Sequence, residues 1–335
     1  MASPKIWWWR EQRPCAKSLL EPNPDLPILI AQRFDAERMV DLVGRVLGTA
    51  TFAVALALVA ATALAVRVRR RPVTEAGAVH VVIATAAMTV SLEAPPTLPL
   101  AIGCLLAGGW MVGKNRLLGY ALHTAGGAVL AFTTGFPPRP LFQLAVVAFI
   151  PVAGALVART AKLRPGITGG MALITAIGVY VTVPDTNEAL ALLGAALLLS
   201  PGILPASSRF GSVGGWGFVG LLVWVAVTGG FTRPGSVVGA IASLGVLLLE
   251  PVLRLMSHRW PGRQLVEVSM LGNRLVMASH CLIVFLTARL AGFQVQSEPA
   301  LAISLGALVL GSILLLVPRS SSPPPPEDQR SVDTP

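Results

Sequence analysis

The chain has 335 residues, of which 54% are hydrophobic and 13% charged, and its mean hydropathy is +0.71. A water-soluble domain carries about 25% charged residues, so this composition excludes an ordinary soluble fold and points to a bilayer. The net charge of +10 does not indicate nucleic acid, because the basic residues sit in short clusters between apolar runs and no nucleic-acid-binding motif accompanies them.

Residues 1–38 hold six basic residues and no apolar run long enough for a signal peptide. Trp7, Trp8 and Trp9 suit an interfacial anchor, but no helical periodicity surrounds them. A start at Met39 explains this best and leaves 1–38 as a tail outside the mature protein. Crossing a bilayer core takes about 20 apolar residues. Residues 39–317 supply candidate spans at 46–66, 77–92, 98–113, 117–134, 141–158, 167–183, 188–206, 213–231, 235–255, 275–292 and 300–317.

Lipid offers the backbone no hydrogen-bond partner, so each span must be helical, and the continuously apolar runs exclude a β-barrel. The expected fold is an all-α polytopic membrane bundle of about eleven helices, with nine as the lower bound. That bound arises because Glu93, Pro95, Pro96 and Pro99 separate 77–92 from 98–113. The pair reads either as two tilted helices or as one re-entrant hairpin. Residues 257–274 read as a short interfacial helix against anionic headgroups or as an ordinary loop. Residues 318–335, with Pro323 to Pro326, read as a disordered cytoplasmic tail.

The loops orient the chain. One alternate set carries 16 basic residues: Arg67, Arg69, Arg70, Arg71, Lys114, Arg116, Arg159, Lys162, Arg164, Arg209, Arg254, Arg259, Arg263, Arg274, Arg319 and Arg330. The other set has Arg139, Arg233 and Arg289. The first set is therefore expected in the cytoplasm, together with the C-terminus. Twenty-two arginines against four lysines fit a high-GC bacterial genome, so the bacterial inner membrane is the expected location.

Two four-helix blocks, 77–158 and 167–257, resemble one another at an offset of 92 to 95 residues. Gly135-Phe136-Pro137-Pro138-Arg139-Pro140 matches Gly230-Phe231-Thr232-Arg233-Pro234 with one gap. An even number of spans preserves orientation, so these would be parallel repeats, an arrangement that transporters use.

Candidate site residues form two groups. Glu93, Asp185, Glu188, Arg139 and Arg233 lie on the external turns and could recognise a polar substrate. Equally they could pair with one another, or Asp185 and Glu188 could cap a helix. His80, His123, His280 and Glu250 lie inside apolar segments, where ionisable residues count as functional candidates. The histidines lie near expected cytoplasmic helix ends, so helix-end packing competes with a proton relay. Glu250 precedes Arg254 by four residues, the spacing of a structural ion pair.

Cys15, Cys104 and Cys281 show no metal-ligand spacing, and no Walker A, dinucleotide-binding or hydrolase motif occurs, so no cofactor or metal is expected. Glycine pairs at GxxxG spacing, including Gly211/Gly215 and Gly235/Gly239, predict close helix contacts. The functional expectation is a transporter, permease or lipid-flippase-like protein. The alternatives are a non-catalytic subunit or scaffold of an envelope-biogenesis or secretion system, and a membrane-embedded lipid-modifying enzyme. The partners expected are membrane lipids, including anionic headgroups at the cytoplasmic face, and other membrane subunits.

Overall fold

The computed structural model describes residues 44, 50–69, 72–92, 94–133, 139–183, 187–200, 203–204, 208–230, 234–257, 263–265, 269–291, 306–307, 309–311, 313 and 315–318. Residues 1–48 form a separate unit from 49–335, and the description below concerns the latter. Among the candidate site residues, Glu93, Asp185 and Arg233 lie outside the described residues, as do the expected tail beyond Pro318 and all of 1–38.

The protein is helical. In chain order the helices are α1 (Ala50–Arg69), α2 (Ala76–Ser91), α3 (Thr97–Met111), α4 (Arg116–Thr133), α5 (Pro140–Leu163), α6 (Thr168–Thr182), α7 (Asn187–Ala196, continued by a 3₁₀ turn to Leu199), α8 (Ser212–Gly230), α9 (Pro234–Ala242), α10 (Val246–Ser257) and α11 (Met270–Ala291). Among the described residues, three stretches are long and apolar enough to cross a membrane: Pro140–Leu163, Ser212–Gly229 and Leu271–Ala288. Shorter apolar helices include Ala76–Val90, Thr97–Met111 and Thr168–Thr182.

Helix ends follow local chemistry. Pro140 opens α5 at a position where its missing N–H costs nothing. Ser269 caps α11, its Oγ accepting from the Gly272 amide at 3.0 Å. This cap starts α11 at Met270, five residues before the expected span. The 235–255 run is likewise not one helix. It breaks after Ala242, and Gly245, at φ +41°, turns the chain into α10. Within 257–274, Arg263–Leu265 pairs antiparallel with Leu316–Pro318, so that stretch is extended, not helical. Its backbone hydrogen bonds go to the partner segment.

Helix α8 is the centre of the bundle and packs against α2, α3, α5 and α9. Its glycines permit this. A Cβ at Gly214 would strike the Gly77 backbone of α2, and one at Gly215 would strike Ala158 of α5. In lipid such close backbone approach, rather than exclusion of water, supplies most of the packing energy. Gly211, the first member of the expected GxxxG pair, precedes α8 and has φ +83°. It serves a turn, while Gly215 alone makes the helix contact.

Large aliphatic side chains face outward while a few ionisable ones lie inside. Leu64, Val90, Leu117, Leu141, Val152 and Leu271 are all more than 60% exposed. Meanwhile Arg164, Glu250, His80, His123 and His280 are buried.

Candidate functional site

The most polar interior region lies where the end of α5, α6, the α9–α10 break and α11 meet. Arg164, the residue after α5, is 1% exposed, and Glu250 of α10 is fully buried. The Arg164 Nε donates to Glu250 Oε1 at 2.6 Å. Its Nη1 donates to Asn273 Oδ1 of α11, also at 2.6 Å. Arg254, one turn beyond Glu250, brings Nη2 to 3.0 Å and Nε to 3.3 Å of the same Oε1. One carboxylate oxygen thus accepts from two guanidinium groups. The other, Oε2, is buried with no hydrogen-bond partner among the described residues.

Two positive groups on one carboxylate leave the cluster with a formal charge of +1. Burying charge is expensive unless it is paired, and the hydrogen bonds that join Glu250 and Arg254 of α10 to Arg164 offset much of that cost. The Thr160 Oγ1 of α5 then donates to the Leu247 carbonyl at 2.9 Å, joining α5 to α10.

A second layer lies two helical turns away. The His280 Nε2 sits 2.9 Å from the Met171 carbonyl of α6, which assigns the ring proton to Nε2. The Thr175 Oγ1 lies 3.1 Å from that nitrogen and donates to the Ser243 carbonyl at 3.0 Å, at the helix break. The His280 Nδ1, left unprotonated by this assignment, has no partner and faces Gly245, where even a Cβ would come within 3.2 Å. Seven residues of α11 separate Asn273 from His280, so the layers are about 10 Å apart along that helix. The two layers and Thr160 between them form a polar seam.

The other histidines stand apart. The His80 Nε2 is 3.4 Å from the Leu192 carbonyl. His123 stacks on Trp216, with centroids 3.5 Å apart, and Tyr120 meets both rings edge-on. Glycines make room for this stack, Gly108 beside His123, and Gly109 and Gly154 beside Trp216.

At one end of the bundle the backbone of 72–77 bonds to that of 208–211 through the Arg209–Val73, Ala76–Arg209 and Gly77–Phe210 pairs. This places Glu75 against the start of α8, where its Oε2 accepts from the Val213 amide at 3.0 Å and the Gly214 amide at 3.3 Å. Glu75 lies just outside the α2 segment, and burial raises its carboxyl above the ordinary value of 4.5 despite those amides.

Of the residues expected from sequence, the seam gathers Glu250 and His280, while His123 lies in the separate aromatic stack. The Glu250–Arg254 pair is present. Among the external residues, Arg139 is exposed at the start of α5 and Glu188 is half-buried in the first turn of α7. Sequence reasoning missed Arg164, counted there as a loop charge, and Asn273, Thr160, Thr175 and Ser243. It also placed His280 near a helix end, whereas the Ser269 cap moves it to mid-helix. No family model matches the chain, and no characterised protein matches it in sequence.

Proposed function

We propose that the chain is a polytopic inner-membrane protein of about eleven spans with its C-terminus in the cytoplasm, and that it acts as a permease or lipid-flippase-type transporter. Its partners are membrane lipids, with anionic headgroups at the cytoplasmic face. The membrane reading is supported by the apolar helices and by the large aliphatic side chains that face outward.

The observation that carries the transport reading is the interrupted helix α9–α10 beside the buried seam. Transporters place substrate sites at discontinuous helices, often at corresponding positions of two repeats. Pro151, inside α5, and Gly245, at the break, are 94 residues apart, as are Arg139 and Arg233. Helix order across 77–158 and 167–257 supports the repeat. The neighbours of α4 and α8 differ and α5 runs unbroken through Pro151, so the likeness lies in order rather than in a symmetric interface.

A scaffold subunit is the second reading. It is favoured by the double pairing of Arg164, which a purely structural clamp would also need. Accessibility separates the two readings. In a variant with Cys15, Cys104 and Cys281 replaced by serine, Ser243→Cys should react with a small membrane-impermeant thiol reagent from at least one side of sealed vesicles. No reaction from either side, while an exposed Lys114→Cys reacts normally, would favour the scaffold.

A further inference from the structure

At the end of the bundle where α3 turns into α4, basic side chains outnumber acidic ones. Gly109 of α3 lies against Trp216 and Val213 of α8, Gly215 of α8 lies against Ala158 of α5, and the Arg209 amide bonds to the Val73 carbonyl. These contacts bring Lys114, Arg116, Arg159, Lys162 and Arg209 to one end, and all five are exposed. Among the described residues the ion pairs are those of Glu250 with Arg164 and Arg254, so none of the five belongs to one. Glu75 lies near Lys162 but turns its Oε2 to the Val213 and Gly214 amides. Between Glu93 and Asp185 the sequence contains no acidic residue, so α3 to α6 supply no countercharge.

Apolar surface adjoins these cations. The Lys114 Nζ lies 3.5 Å over the centre of the Trp110 ring, which holds the ammonium beside an exposed indole. Trp110 is 58% and Leu117 83% exposed, and Tyr120 is exposed one turn further along α4. Leu100, Gly103 and Ala107 share the outward face of α3 with Trp110, and a Cβ at Gly103 would meet nothing. Beneath the turn, His123 stacked on Trp216 gives it a packed base. Aromatic rings beside basic residues are the pattern of a membrane–water boundary.

We infer that the α3–α4 turn binds the headgroup of an anionic phospholipid through Lys114 and Arg116, with the acyl chains lying on Trp110, Leu117 and the outward face of α3. This assigns the anionic headgroups of the membrane reading to one corner of the fold, and it rests on that reading. A soluble polyanion would satisfy the cations and leave the apolar flank in water. A purely apolar partner would cover the flank and leave the cations unpaired. A phospholipid answers both, because its phosphate oxygens accept from the ammonium and the guanidinium while its chains stay in hydrocarbon.

The test uses the full chain in phosphatidylcholine bilayers to which brominated-chain phosphatidylglycerol or brominated-chain phosphatidylcholine is added. The tryptophan fluorescence present in the wild type and missing in Trp110→Phe isolates Trp110 among the seven tryptophans. Binding at this corner predicts that phosphatidylglycerol quenches this signal at about a tenfold lower mole fraction than phosphatidylcholine, as two basic residues at a membrane surface supply. Lys114→Ala/Arg116→Ala should remove the preference and keep the quenching by both lipids. A preference that survives in this double variant overturns the assignment to Lys114 and Arg116. Should the double variant fail to accumulate, the comparison of the two lipids on the wild type decides alone. Equal quenching by both, the outcome for a soluble acidic partner, overturns the headgroup site and leaves the membrane reading standing. Quenching by neither lipid puts Trp110 outside the bilayer and overturns both.

Discussion

The guanidinium of Arg164 and the carboxylate of Glu250, 86 residues apart in sequence, meet at 2.6 Å with neither side chain reached by solvent. Breaking such a pair from one side leaves an unpaired buried charge and costs about 3–5 kcal/mol, whereas replacing both partners by apolar groups is often neutral. Glu250→Leu alone, which takes the carboxylate away from the buried Arg164 guanidinium, should therefore lower unfolding stability in detergent by about that amount. The double variant Arg164→Met/Glu250→Leu should recover most of it, since Arg254 can turn to solvent. A double variant as unstable as the two single losses added together would show that the pair is not the coupled unit described here.

Glycine contacts around the aromatic stack give an internally controlled prediction. A Cβ at Gly154 would fall on the Trp216 ring, while one at Gly103, also in an apolar helix, meets nothing within 4 Å. Gly154→Ala should cost about 1–3 kcal/mol through overpacking. Gly103→Ala should be neutral or stabilise by up to about 1 kcal/mol through helix propensity. Thermal unfolding of the two variants in one detergent checks the contrast, and equal effects would refute the packing account.

Gly245 should resist substitution for a different reason. Its φ of +41° lies in the left-handed region, and a side chain there would also press on Ile283 and His280. Gly245→Ala should destabilise by about 1–2 kcal/mol from backbone strain alone. If α9 and α10 formed one continuous helix instead, the same substitution would stabilise.

Glu75 sets a pH dependence. Its carboxyl is raised because burial disfavours the charged form more than the α8 amides favour it. The folded state therefore binds the proton more tightly than the unfolded chain. The stability this confers is complete below the ordinary value of 4.5 and is lost as pH rises through the raised value. Wild type should fall relative to Glu75→Gln as pH is increased over that window, measured as the difference between their melting temperatures. A difference that moves the other way would mean that the amides dominate.

Sequence made the local features readable. The extent of the apolar runs placed most helix ends to within a few residues, and the i,i+4 spacing exposed Glu250–Arg254. What it hid was non-local or conformational. Arg164 looks like a loop charge because nothing near it in sequence reveals a carboxylate 86 residues later. The α9–α10 break hides in a continuous apolar run, where hydropathy is blind to one glycine with positive φ. His280 seemed close to a helix end because Asn273 and Arg274 read as loop, while Ser269 caps the helix earlier. The Glu75 contact with α8 depends on backbone pairing between 72–77 and 208–211, for which those segments carry no sequence pattern.

The whole account needs the chain to thread through lipid, and reporter fusions measure that directly. A reporter active only in the cytoplasm and one active only outside, each fused after Arg71 and after Pro234, should place these two positions on opposite sides of the membrane. Finding both in one compartment would contradict it.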